Sequence, residues 1–333
     1  MSATQNKNGL ITSLTLIALI AMVAAYFAPI WWVSLTAPNY PEDAFPDGIR
    51  IHFHFDGVHN GCSTPPKTSR LAEETMAEDM GEGTGRYNPI LAEQTTLSGA
   101  ATALDCVHEM NTINHYVGMY PIATGGPVET KLSKFFLSFF AVMLLAFAVR
   151  NKKARLGLMV VGFGALAAWM IVDQFVMGNL AAHVKHYMDE SATFFNDPER
   201  IAAWGKNVEV ISKVAIFGMI AAMVVVIFGV MKFRSFELLL ALIPALLPIF
   251  YLIEYSAWLW FFGHNLHPWG AFTVKPFMPT VFGEGAVAQF STYSYPHWGY
   301  ALLMVVFVCL MLALLLRRKQ LREEQAPLSA KQG

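Results

Sequence analysis

The stretch YALLMVVFVCLMLALLLRRKQLR, residues 300–322, decides how the rest of the chain is read. From Tyr300 to Leu316 it carries no charged side chain, and it closes on Arg317, Arg318, Lys319 and Arg322. The hydrocarbon core of a bilayer is about 30 Å thick, which asks for about 20 mainly apolar helical residues whose backbone groups bond internally. Lys and Arg beside such a span are retained in the cytoplasm, so the run predicts a transmembrane helix followed by a cytoplasmic tail.

The pattern recurs upstream, at Leu10–Val33, Phe135–Val149 (which Leu132 and Ser133 extend), Leu156–Gly178, Val214–Val230 and Leu238–Phe262. The first run is long and ends in Trp31 and Trp32, which reads as a retained anchor rather than a cleaved signal peptide. With 55% hydrophobic and 14% charged residues, the 333-residue chain does not have the composition of a water-soluble fold. The turns carrying Arg150, Lys152, Lys153 and Arg155, and Lys232 with Arg234, are basic like the tail and are expected inside.

The expected architecture is an all-α integral membrane protein of the bacterial inner membrane, with six transmembrane helices and both termini cytoplasmic. Residues 1–36 hold the first helix, and 37–130 a small mixed periplasmic domain between helices 1 and 2. Residues 131–316 form a five-helix membrane domain with periplasmic loops 179–213 and 263–299, and 317–333 form the tail. Within 37–130, Arg50–Phe55 alternates as a strand, 63–100 reads as loop and short helix, and Thr102–Tyr116 is helical. The same segment holds thirteen acids against four bases. Nucleic acid is thereby an unfavourable partner, whereas a metal ion or a cationic protein suits such a face; loss of bases from external loops by topogenic selection explains the imbalance equally well.

All ten histidines fall in the segments expected outside or at the outer interface. His52 and His54 share one strand face, with His59 and Cys62 just beyond. His108 and His115 are two helical turns apart, while His183 with His186 and His264 with His267 have i, i+3 spacing. Imidazole with thiolate or thioether suits copper, and imidazole with carboxylate also suits zinc or iron. Convergence of His52, His54, Cys62, Cys106, His108 and His115 on one pocket is the sharpest metal expectation. Two alternatives stand beside it: a Cys62–Cys106 disulfide, which external cysteines permit, and interfacial histidines that only pack. His297, just before the last span, reads as an interface residue.

Asp173 with Gln174, and Glu254, are costly inside spans and mark a site or an interhelical hydrogen bond. As cofactor-binding candidates they lie ten residues before His183 and His264, so either could line a proton path or a quinol dock. Pro244 and Pro248 should bend the fifth span. Haem held by histidines in the middle of spans is excluded by their placement, though a haem at the outer face near His183 or His264 stays open. The aromatic run from Trp269 to Trp298 reads as a lid on the membrane surface.

The segment Cys106-Val-His-Glu-Met-Asn-Thr-Ile-Asn-His-Tyr-Val-Gly-Met-Tyr-Pro-Ile122 resembles polytopic membrane proteins associated with bacterial nitrous oxide reductase gene clusters. The resemblance covers about seventeen residues and implies work around a periplasmic copper enzyme, either metal supply and assembly or electron delivery. It points to Cys106, His108, Asn114, His115 and Met119, and to a periplasmic metalloprotein or metallochaperone, or other membrane subunits, as partners. A membrane quinol oxidoreductase subunit and a structural subunit of a membrane complex are the other readings.

Overall fold

A computed structural model describes residues 3–38, 40, 42, 45–63, 104–121, 125–271, 274–287 and 289–329. The expected loop and short helix at 63–100 lies outside the described residues apart from Ser63.

Helix α1 (Ala3–Tyr26) leads into strand β1 (Trp31–Thr36). The hairpin β2 (Ile49–His54) and β3 (Gly57–Asn60) follows, then α2 (Cys106–Tyr116) and α3 (Glu129–Ala148). Helix α4 (Lys152–Ile171) ends in a π turn at Val172–Val176, and α5 (Asn179–Phe194) precedes α6 (Pro198–Lys232). A 3-10 turn (Arg234–Leu238), α7 (Leu239–Ala245) and α8 (Leu247–His264) come next. Strands β4 (Gly283–Val287) and β5 (Phe290–Pro296) lead into α9 (Trp298–Ser329).

Among the described residues, five helices are long and apolar enough to cross a membrane: Lys7–Tyr26, Glu129–Ala148, Lys152–Val176, Pro198–Lys232 and Trp298–Glu323. The pair Arg234–Ala245 and Leu247–His264, bent by 53°, makes a sixth if it is counted as one span. The bend has a chemical cause, since Pro244 sits inside α7 and Pro248 in the first turn of α8, and proline supplies no N–H to the helix ladder.

The first apolar helix ends earlier than its hydropathy suggests. Trp31, Trp32 and Val33, read as the end of that span, belong to β1, because Pro29 stops the helix and the backbone beyond it bonds to a sheet: Ile30 N–H donates to Phe53 O at 2.8 Å and His297 N–H to Ile30 O at 2.9 Å. The sheet is antiparallel in the order β3-β2-β1-β5-β4. Its central strand β1 pairs Trp31 with Phe53 on one side and with Pro296 on the other. Thus the aromatic stretch expected as a lid supplies two strands, and the sheet is shared between residues 31–60 and 283–296. Gly299 allows the closure, because a Cβ there would lie 2.5 Å from Pro29 O. Since α1 runs into β1 and β5 into α9, the packing of α1 along α9 and of β1 along β5 is one continuous arrangement.

One sheet face is apolar. Trp31, Val33, Ile51 and Phe290 bury themselves with Met110 and Ile113 of α2 and Tyr255 and Leu259 of α8, and the indole N–H of Trp31 donates to Ser294 Oγ at 2.9 Å. Asp105 starts α2 by accepting from the N–H groups of Val107 and His108, and Asn151 does the same for α4. Arg155, Arg317 and Glu237 meet at the end of the bundle away from the sheet, so the basic turns noted in the sequence converge there.

Candidate functional site

Cys62 and Cys106 are disulfide-bonded, which ties the end of the β2–β3 hairpin to the first residue of α2. Of the two alternatives open for these thiols the bond is the one present, and a bonded sulfur offers no thiolate to a metal. The expected six-residue pocket does not form. The β register keeps His52 and His54 on one face and sets His59 opposite His52, so these three gather, while α2 packs through Met110 and Ile113 on the apolar face with Trp31, Val33 and Ile51. The rings of His54 and His59 are 4.3 Å apart, and those of His52 and His297 5.1 Å. His297 reaches this row because β5 lies beside β1, a pairing that no local sequence signal announces.

His54, Asp56 and His59 form a group whose possible ligand atoms all lie within 4.8 Å of one another. His59 also faces a polar cavity of about 410 Å³, which His108 enters from α2 and His183 and His186 from α5. Asp56, Asp105 and Glu190 line it too. Four histidines from three separate elements therefore share one space. The i, i+3 spacing of His183 and His186 puts both on the cavity side of α5.

His183 is the most informative of the four. Its Nε2 bonds the carbonyl of Pro127, which can only accept, so Nε2 carries the proton and Nδ1 holds a free lone pair. That Nδ1 is buried and has no hydrogen-bond partner among the described residues. Burial holds the ring's pKa below its ordinary value, against the opposing pull of Pro127, and keeps the imidazole neutral. Metal-binding histidines likewise anchor one ring nitrogen on a carbonyl and leave the lone pair of the other free.

Other candidates are engaged elsewhere. Met119 is buried in an apolar cluster with Val117, Tyr120, Phe195 and Phe262, away from the histidine-lined cavity. The ring of His115 lies outside that cavity, 4.7 Å from that of Phe195, and its buried Nδ1 also has no hydrogen-bond partner among the described residues. His264 closes α8, so its expected helical partnership with His267 ends there; its Nδ1 faces Trp260 O at 2.8 Å. Both ring nitrogens of His267 are occupied, by Asp197 Oδ2 and the Trp269 N–H, each at 3.1 Å. His267 also donates its backbone N–H to Gly118 O at 2.6 Å, an approach that a side chain at Gly118 would block. Asp173 lies in the π turn and accepts from Lys134 Nζ at 2.8 Å and Gln174 Nε2 at 2.6 Å, which is the interhelical bond allowed as the alternative to a site. Glu254, by contrast, faces a second cavity, which is apolar and contains His54.

The sheet histidines carry a pH signature. Burial, followed by His297, Arg50, His54 and His59, pushes His52 down from 6.5 to about 4. The folded state thus takes up this proton later than the unfolded chain, so stability is complete above about pH 6.5 and falls as pH drops toward 4. Melting temperatures recorded across this window should fall with acid, and His52→Asn should flatten the fall; an unchanged slope would show that His52 does not contribute to it.

Compared with protein-family models, with curated proteins and with solved structures, the chain gives no match in any of the three.

Proposed function

We propose that this chain is an inner-membrane protein that binds copper at its periplasmic face and serves the assembly or electron supply of a periplasmic copper enzyme such as nitrous oxide reductase. The six apolar stretches are its spans, with the bent pair as one of them. The Arg155–Glu237–Arg317 end faces the cytoplasm by the excess of Lys and Arg there, and the sheet end faces the periplasm.

The observation that carries the metal reading is the cavity shared by His59, His108, His183 and His186, together with a His183 Nδ1 that has no hydrogen-bond partner among the described residues. Imidazole nitrogens favour copper or zinc over calcium or magnesium, whose hard ions prefer oxygen. The resemblance of residues 106–122 to proteins encoded with nitrous oxide reductase favours copper between these two. His54 and Asp56, grouped with His59, extend the ligand set toward the sheet.

Elemental analysis and absorption spectroscopy of purified protein test this reading. Copper without haem is expected. His59→Ala/His183→Ala should weaken copper binding by at least about 100-fold, equivalent to about 2.7 kcal/mol. His264→Ala, outside the cavity, should leave it unchanged. Full copper content in the double variant, with its disulfide intact, would place the metal elsewhere.

A further inference from the structure

The second cavity, of about 360 Å³, lies between α1, α3, α8 and the turn of the β2–β3 hairpin. Helix α3 packs on α1, α4 and α7, and the bend between Ala245 and Leu247 turns α8 away, so the cavity fills the space between α3 and α8. Phe136, Phe140, Leu247 and Phe250 line the part bounded by the spans. Flat aromatic pairs flank the sheet side: Tyr26 on Phe55, centroids 6.4 Å apart with ring planes 9° apart, and Tyr251 on Tyr255, at 6.0 Å and 9°.

His54, Glu129, Tyr251 and Glu254 are among the hydrogen-bonding groups in this wall. Glu129 Oε2 and the Tyr251 hydroxyl are buried and have no hydrogen-bond partner among the described residues. Glu254 lines the cavity and is itself exposed. Each buried polar atom left unpaired costs about 1–3 kcal/mol. A lipid acyl chain would fill the volume and leave these atoms unmet. A water cluster would meet them and leave the aromatic walls wet.

We infer that this cavity is a binding site for a lipid-soluble ring compound of the quinone and hydroquinone class. The aromatic walls take the ring, the carboxyls of Glu129 and Glu254 and the Tyr251 hydroxyl meet its oxygen substituents, and the tail leaves between α3 and α8 into the bilayer. An apolar chamber of this volume with a few convergent polar groups is the usual build of a small-ligand site. His54 gives the inference its functional interest: it lines this cavity and also belongs to the His54–Asp56–His59 group, so it stands between the ring site and the histidine-lined space. The site rests on reading the helices as membrane spans and does not require the metal.

The test uses the full chain in detergent after treatment with a chelator, so that its result is independent of copper. The probe is a photoreactive azido-benzoquinone with a short alkyl tail. Crosslinks are expected in peptides containing residues 125–140 and 247–262. Unlabelled benzoquinone of the same tail should displace the probe, and an aliphatic alcohol of equal length should not. Glu254→Gln and Tyr251→Phe should each weaken binding about tenfold while leaving the disulfide and elution profile unchanged. Equal competition by the alcohol would make this an acyl-chain site and overturn the inference. So would crosslinks confined to other segments, or unchanged affinity in both variants.

Discussion

Replacing Cys106 by serine is expected to lower stability by about 4 kcal/mol, by the loop-entropy relation for a bond closing 44 residues of sequence. The loss arises in the unfolded chain, which gains freedom once the crosslink is gone. Part of it also arises in the fold, since Cys62 and Cys106 are both buried, at 7% and 0% exposure, and the smaller serine oxygen would not refill the space of the packed sulfur. Thermal melts under non-reducing conditions should show Cys62→Ser, Cys106→Ser and the double variant destabilised alike, because any one of them removes the same bond. Cys309→Ser should melt like the parent, since that thiol is free. The consequence reaches the candidate metal site: Cys106 is the first residue of α2, and two residues on His108 enters the cavity. Loss of the bond should therefore weaken the proposed copper binding as well. A shift below about 1 kcal/mol would show that the hairpin and α2 are held together without the crosslink.

How far the chain can be read without its structure depends on the range of the interactions involved. Hydropathy is local, and the five long apolar helices were legible, as were the proline bend in α7–α8 and the alternation that makes β2. Trp31–Val33 misled because an aromatic pair after an apolar run fits a membrane interface as well as a strand. What decides is the partner strand β5, some 260 residues later in sequence. The same long-range pairing brings His297 to His52, which no spacing rule finds. The i, i+3 spacing had different outcomes at two places for a concrete reason: α5 continues through His183 and His186, whereas α8 stops at His264. Met119 looked like a soft ligand beside His115, but burial in an apolar cluster is the commoner fate of methionine. Glu254 was singled out by its cost in a span. Glu129 was not, because it stands at the first turn of α3, where an acid is unremarkable until the cavity beside it is seen.

Glu237→Ala should be among the most damaging single changes in the molecule, at about 3–5 kcal/mol. Arg155, Arg317 and Glu237 are all buried, at 4%, 6% and 8% exposure. Glu237 accepts from Arg155 Nη1 and lies 3.7 Å from Arg317 Nε. Both arginines also bond carbonyls at the C-terminal end of α3: Arg155 Nε with Ala146 O at 3.2 Å and Val149 O at 3.0 Å, and Arg317 Nη2 with Phe147 O at 3.2 Å. These contacts meet carbonyls that a helix end leaves without partners, and they place positive charge at the negative end of the helix dipole. One carboxylate thus holds together α4, α9, the end of α3 and the turn before α7. Sequence alone reads Arg155 and Arg317 as solvated topogenic charges, since nothing local shows that Glu237 lies between them. Removing the carboxylate strands two guanidinium groups in a space that excludes water, and their repulsion is then uncompensated. Glu237→Gln keeps a hydrogen-bond acceptor of the same shape and should lose less than the alanine variant, and the gap between the two measures the share carried by charge. Reversible unfolding in mixed micelles, monitored by tryptophan fluorescence, gives both numbers. A loss under about 1 kcal/mol for the alanine variant would mean that water reaches these side chains, and the convergence of the three helix ends would then have to rest on apolar packing alone.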